Sequence, residues 1–139
     1  MMSRAEIDVF LQRQDPAMLG VIGTLASDGW PNLVPIWYRW DGQAAHIWTG
    51  MERSWPQQLL SDPRVSLAIQ EGERPFAAVL MKGRAELETD GAGHWDEVRS
   101  ICRRYVPADE VDGYIEPWGS LRTIVTIRPE RIVSWAVGY

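Results

Sequence analysis

Residues 19–67 read LGVIGTLASDGWPNLVPIWYRWDGQAAHIWTGMERSWPQQLLSDPRVSL, and the order of signals within them decides the fold. A β-prone run over 18–26 meets the turn pair Asp28-Gly29, and a second run over 32–40 meets another, Asp41-Gly42. Such pairs favour tight hairpins, because Gly accepts the positive φ that the turn demands. A third run, 45–49, leads into Arg53-Ser54-Trp55-Pro56-Gln57, which reads as a helix start. After Asp62-Pro63 the chain re-enters a strand at Arg64-Val65-Ser66-Leu67. Two hairpins followed by a helix whose first turn faces a sheet make an anion cradle, suited to a phosphorylated cofactor.

Upstream, Ser3-Arg4-Ala5-Glu6 is a capping box, and Ile7, Phe10 and Leu11 recur at helical spacing, so a short amphipathic helix is expected over 4–13. Downstream, Val65, Leu67 and Ile69 alternate with polar residues at period 2, as do Val79, Met81, Gly83, Ala85 and Leu87. Gly83, in the middle of that long series, predicts a bend or bulge. Leu121, Thr123, Val125 and Ile127 form the last clear series, and a short extension over 132–137 follows a break at Pro129. Between these strands Trp95, Val98, Ile101, Cys102 and Tyr105 keep a helical stripe, which predicts a helix over 92–105 ended by Pro107 and a further short turn over 108–114. Six strands, tight early hairpins and few helices indicate an antiparallel barrel of the mainly β, α+β class, with helices at its periphery.

The 139 residues make one domain, 1–139, with 24% charged and 45% hydrophobic residues, as in ordinary globular proteins. A net charge of −5 argues against a nucleic-acid binder, since phosphate backbones need clustered Lys and Arg. No apolar stretch is long enough to span a bilayer, which argues against a membrane partner, and the first residues lack a signal-peptide core. The single cysteine, Cys102, excludes an intrachain disulfide and reads as a small buried hydrophobe; a cytoplasmic location is the expectation.

The strongest candidate site runs from Thr49 to Gln58. Ser54 is placed to cap the helix, with Gln57 at the capping-box position and Trp55 and Pro56 in the first turn. Free amides there and the Arg53 guanidinium beside them form an anion site, with the Thr49 hydroxyl pointing at it. The competing reading is a plain helix cap with a solvent-facing arginine. A second surface is the strand Leu33 to Tyr38, where Pro35 removes a ladder donor and leaves backbone groups around Ile36 and Trp37 free for a ring system. That strand serves equally as an edge that blocks unwanted pairing. Eight tryptophans serve either core and interface packing or, on a sharper reading, a planar-ligand pocket or an oligomer seam. His46 and His94 have no metal-ligand partner at suitable spacing, no metal is expected, and no catalytic residue can be nominated. Such silence suits chemistry that belongs to a cofactor.

Residues 24–31, Val34-Pro35-Ile36-Trp37, Trp48-Thr49, Arg53-Ser54, Leu59, residues 62–67, Lys82-Gly83-Arg84-Ala85 and residues 127–135 together resemble the pyridoxamine 5′-phosphate oxidase-like flavin-binding split-barrel family. The resemblance covers essentially the whole chain. It implies a six-stranded antiparallel split β-barrel of Greek-key type that forms a homodimer, with cofactors in clefts at the interface. It further implies that Arg53 and Ser54 hold a phosphate and that Pro35, Ile36, Trp37, Trp48 and Thr49 lie along the ring. Family members use FMN or the deazaflavin coenzyme F-420 to move hydride or electrons on small organic molecules; a minority bind haem or a tetrapyrrole. FMN is the cofactor expected, with F-420 as the alternative and haem behind both. The family commonly places a lysine after the Arg-Ser pair, where this chain has Trp55. Leu33 and Tyr38 stand where a true pyridoxamine phosphate oxidase carries basic residues, so that activity is not expected. A non-catalytic carrier of flavin, haem or tetrapyrrole, or a dimer with a degenerate site, is the alternative.

Overall fold

The computed structural model describes residues 1–89, 94–118 and 122–138. Its elements are α1 (Arg4–Gln12), β1 (Gly20–Leu25), β2 (Pro31–Ile36), β3 (Arg39–Trp40), β4 (Ala45–Thr49), α2 (Ser54–Ser61), β5 (Arg64–Gln70), β6 (Ala78–Glu88), α3 (His94–Cys102), α4 (Val111–Ile115) and β7 (Thr123–Trp135). Single 3-10 turns at Ala108–Glu110 and Glu116–Trp118 flank α4. The strands form one antiparallel sheet in the order β2-β1-β5-β6-β7-β4-β3.

That order forces the sheet to curl. β2 and β3 lie at opposite edges, yet only Trp37 and Tyr38 separate Ile36 from Arg39. Three Cα steps of 3.8 Å reach about 11 Å at most, so the two edges must nearly meet. The single run expected over 32–40 is therefore two strands, and the sheet has seven strands rather than six. Tyr38 closes the seam: it is fully buried, and its hydroxyl donates to the Leu11 carbonyl at 2.8 Å. The hairpin turns are as expected, with Gly29 at φ 86° and Gly42 at φ 97°. Asp41 Oδ1 accepts from the amides of Gln43 and Ala44, at 2.7 Å each.

Alternation along the strands sends one face inward. Ile22, Ile47, Val65, Leu67, Ile69, Val79, Met81, Val125 and Ile127 fill the barrel. Ile7, Phe10 and Leu11 of α1 plug one region of that core, and Trp55 and Leu59 of α2 another. A second, smaller core lies on the outer face of the β4/β7 pair, where Ile124 meets Val98, Cys102, Val111 and Ile115. Val125 and Ile124 are chain neighbours in different cores, as period-2 geometry requires.

The capping box of Ser3 and Glu6 forms as read. The bulge expected at Gly83 is present as a register shift between Lys82 and Gly83, where a Cβ would collide with the Arg128 carbonyl oxygen. Pro129 does not break the last strand. It pairs opposite Gly83, beyond Ile127 where pairing with β4 ends, so its missing donor falls at a bulge. Of the helix expected over 92–105, residues 92 and 93 lie outside the described ones, and α3 ends at Cys102. Its last turn tightens, Arg104 N donating to Ile101 O at 3.2 Å and Tyr105 N to Cys102 O at 2.9 Å. Leu121, the first residue of the last expected series, also lies outside the described residues.

Candidate functional site

Where the barrel seam meets α2, β2, β4 and the start of β7 border a cavity of about 210 Å³. Three of its walls were legible in the sequence. Pro35, Ile36 and Trp37 come from the edge strand and seam, Trp48 and Thr49 from the end of β4, and Arg53 and Trp55 from the start of α2. Ser54 and Gln57 are exposed and do not line it.

The helix start differs in detail from the expectation. Arg53, with extended φ −84° and ψ 151°, is the N-cap residue, Ser54 is the first helical residue, and no side chain caps the end. Gln57 falls one position past the capping-box place, and its Nε2 donates to the Met51 carbonyl at 2.6 Å, bracing the preceding turn. The first amides of α2 are thus left without a side-chain acceptor, which keeps them available to an anion. Thr49 is buried, and its hydroxyl donates to the Gly50 carbonyl at 3.4 Å. Trp55 turns its indole into the barrel core, 3% exposed, while also lining the cavity. Gln58 Oε1 accepts from Thr24 Oγ1 at 2.7 Å and from Asn32 Nδ2 at 3.3 Å, which ties α2 to β1 and β2.

The remaining wall was not legible. Gly50 and Glu52 come from the turn before α2, Tyr114 from α4, Trp118 from the 3-10 turn and Arg122 from the position just before β7. Aromatic rings make one side continuous. Trp37 stacks on Tyr105 at 4.8 Å and on Tyr114 at 5.1 Å, and Trp48 meets Tyr114 and Trp118 edge-on at 6.5 and 6.2 Å. Burial, with the neighbouring Cys102 thiol, pushes the Tyr114 phenol up and outweighs Arg53, so it stays protonated and able to donate. Cys102 lies behind this wall, its thiol pushed up to about 11 by burial against a hydrogen bond from Trp48, which suits the buried, unreactive role read from sequence.

Both histidines are occupied elsewhere. His46 Nε2 lies 2.7 Å from Asp41 Oδ2 and its Nδ1 3.2 Å from Thr126 Oγ1. Burial raises the Asp41 carboxyl, but the His46 hydrogen bond and the Ala44 and Gln43 amides outweigh it and hold the pKa at about 2. His94 Nε2 donates to the Arg122 carbonyl. Among the described residues, no three His, Cys, Asp or Glu side chains gather as metal ligands.

The cavity suits a flat molecule with an anionic tail. Aromatic faces and an edge strand line it together with the uncapped start of α2 and two arginines, Arg53 and Arg122. The family model described as pyridoxamine 5′-phosphate oxidase matches residues 3–136. The chain belongs to this family.

Solved structures of the same fold accompany that match. A conserved hypothetical protein, Rv2991, from Mycobacterium tuberculosis is 28% identical with a TM-score of 0.82, covering 97% of this chain and 85% of that one. An F420 reductase is 22% identical with a TM-score of 0.69, over 91% and 94% of the two chains. An FAD-binding protein from Mesorhizobium loti is 21% identical with a TM-score of 0.67, over 96% and 92%. No curated protein matches this sequence. Among the described residues, no helix is long and apolar enough to cross a membrane.

Proposed function

We propose that this protein is an oxidoreductase that uses FMN, or alternatively coenzyme F-420, on a small organic substrate in the cytoplasm. One observation carries the reading: the edge strand at Pro35 to Trp37, the end of β4 at Trp48 and Thr49, and the uncapped start of α2 at Arg53 all border one cavity. Membership of the oxidase family and likeness to an F420 reductase and an FAD-binding protein support a flavin-type cofactor. A bound flavin or deazaflavin would supply hydride or electron transfer. The chain's own part is to hold the ring against β2 and β4, to keep water from its aromatic side, and to neutralise the anionic tail at Arg53.

The cofactor would lie between two copies of the chain. A cavity of about 210 Å³ offers only part of a flavin's surroundings, so a second subunit would complete it. Val21, Leu33, Leu80 and Val133 expose 37%, 69%, 37% and 38% of their surface on neighbouring strands of the sheet's outer face. An apolar patch of that kind is usual at subunit interfaces.

The visible spectrum of the purified protein and titrations with FMN and F-420 test the reading. Binding of either, followed by reduction of the bound cofactor and its reoxidation by substrate, is expected. Arg53→Ala should weaken binding by ~1–3 kcal/mol, the range for hydrogen bonds to charged groups. A colourless protein that titrates with neither compound would sink it, and bound FMN that no donor reduces would mark a carrier instead.

A further inference from the structure

We infer that Arg122 is the buried anchor for an oxyanion at this corner, and that the Glu52 carboxylate stands in for that oxyanion until one binds. The inference deepens the cofactor reading above, adding a charged contact outside the Arg53-Ser54 segment and a built-in competitor for it.

Arg122 is 8% exposed as a residue and 9% in its side chain, and it lines the cavity. Its backbone is held in place because its carbonyl accepts from His94 Nε2. Its guanidinium carbon sits 5.5 Å from the centroid of the Trp118 ring. Nη1 donates to Glu52 Oε1 at 3.1 Å, and Nε has no partner among the described residues. The other such atom among the described residues, Arg13 Nε, is likewise buried, but its side chain is 37% exposed and its Nη1 pairs with Glu71 at 3.0 Å. A buried guanidinium with part of its fork unused is a poor structural device, because desolvating a cation calls for full pairing.

Among the described residues its one anionic partner, Glu52, is loosely held. Glu52 is 61% exposed, so its carboxylate can swing into water at little cost. It folds back over Gly50, close enough that a Cβ there would push on both the Glu52 carboxylate and the Arg122 guanidinium. The Glu52 carboxyl is held below its usual range by its own backbone N–H against a burial cost, and then by Arg122 and Arg53. This glutamate therefore sits charged where charge is wanted. A tetrahedral oxyanion has more acceptor oxygens than a carboxylate, enough for Nη1 and Nε of Arg122 together and for the uncapped amides of α2. Phosphate on FMN and the phosphate-bearing tail of F-420 share that chemistry.

Isothermal titration calorimetry at constant ionic strength tests this on the whole protein, with inorganic phosphate, FMN, riboflavin and F-420 as separate probes. Wild-type protein should bind phosphate weakly. Arg122→Gln should weaken it at least about tenfold, as loss of charged hydrogen bonds does. Glu52→Gln should tighten it roughly three- to tenfold, because a competing internal ligand lowers the fraction of open sites. FMN should follow phosphate through both variants, and riboflavin, which lacks the phosphate, should follow neither. F-420 tracking the variants while FMN does not would assign the anchor to the deazaflavin tail. Phosphate affinity unchanged in Arg122→Gln, or no tighter in Glu52→Gln, overturns the inference. Glu52 is exposed, so that second variant decides even if the first fails to fold. Phosphate binding that depends on Arg122, in a protein that binds neither flavin nor F-420, would remove the cofactor reading and leave the anion site standing.

Discussion

Two arginines are each 8% exposed, and the protein treats them in opposite ways. Arg104 sits beneath the barrel seam with its fork occupied by carbonyls. Nη1 donates to Tyr38 O at 2.5 Å, and Nη2 donates to Leu11 O at 3.3 Å and Arg13 O at 3.1 Å. Its guanidinium carbon lies 4.4 Å from the Tyr38 ring centroid, a favourable cation–π distance. Among the described residues, Arg122 has one exposed carboxylate as partner and none for Nε. The first is a structural clamp that joins α1, the seam and the end of α3. The second is a charge kept ready. A buried cation thus reports its role through the completeness of its hydrogen bonding, more than through its burial.

The contrast can be broken by measurement. Arg104→Met should cost the most, about 3–5 kcal/mol of unfolding free energy, because three carbonyls at the seam each lose a charged donor, with Leu11 O and Tyr38 O keeping only a tyrosine hydroxyl. Denaturant unfolding measures it, and a loss below that of an ordinary surface substitution would show that Arg104 is no clamp.

Tyr38→Phe sharpens the same side of the comparison. At neutral pH it should cost about 1 kcal/mol, the net worth of one buried hydrogen bond. Burial pushes the Tyr38 phenol up from 10.0 to about 12, against the opposing charge and hydrogen bond of Arg104. The fold favours the neutral phenol, so its stabilisation is complete below pH 10 and drains away as pH rises from 10.0 toward about 12. Over that window wild-type protein should lose up to about 2–3 kcal/mol that the Phe variant keeps. Parallel stability curves for the two proteins above pH 10 would refute the assignment.

Arg122→Gln should change least, by under about 1 kcal/mol in either direction, since a half-satisfied buried charge contributes little net stability. A loss as large as that of Arg104→Met would place Arg122 with the clamp and remove the reason to regard it as a ligand group.

Much of the fold could be read locally. Asp28-Gly29 and Asp41-Gly42 announce their turns, Ser3 and Glu6 their helix start, and Gly83 its bulge. Each depends on neighbours within a few residues. The misjudged places depended on distant ones. Pro129 looks like a strand breaker until Gly83 is placed opposite it. The run through Trp37 and Tyr38 looks like one strand until its two ends are found on opposite sheet edges. Ser54 looks like a cap, yet Arg53 holds that position and Gln57 braces Met51 instead. At the site, the edge strand, the end of β4 and the start of α2 were named from sequence, whereas Glu52, Tyr114, Trp118 and Arg122 carried no local signal.

Alternating apolar residues, turn pairs and capping residues determined by themselves the class of fold, because those signals act at separations of two to four residues. Folding alone decided what each arginine does. Arg103 and Arg104 are adjacent and chemically alike, yet one is exposed and the other buried among carbonyls from Leu11, Arg13 and Tyr38. Arg122 acquires Glu52, and a cavity wall shared with Arg53, only when β7 is laid beside β4. Whether a charge finds partners depends on which distant segments the closed sheet brings to it.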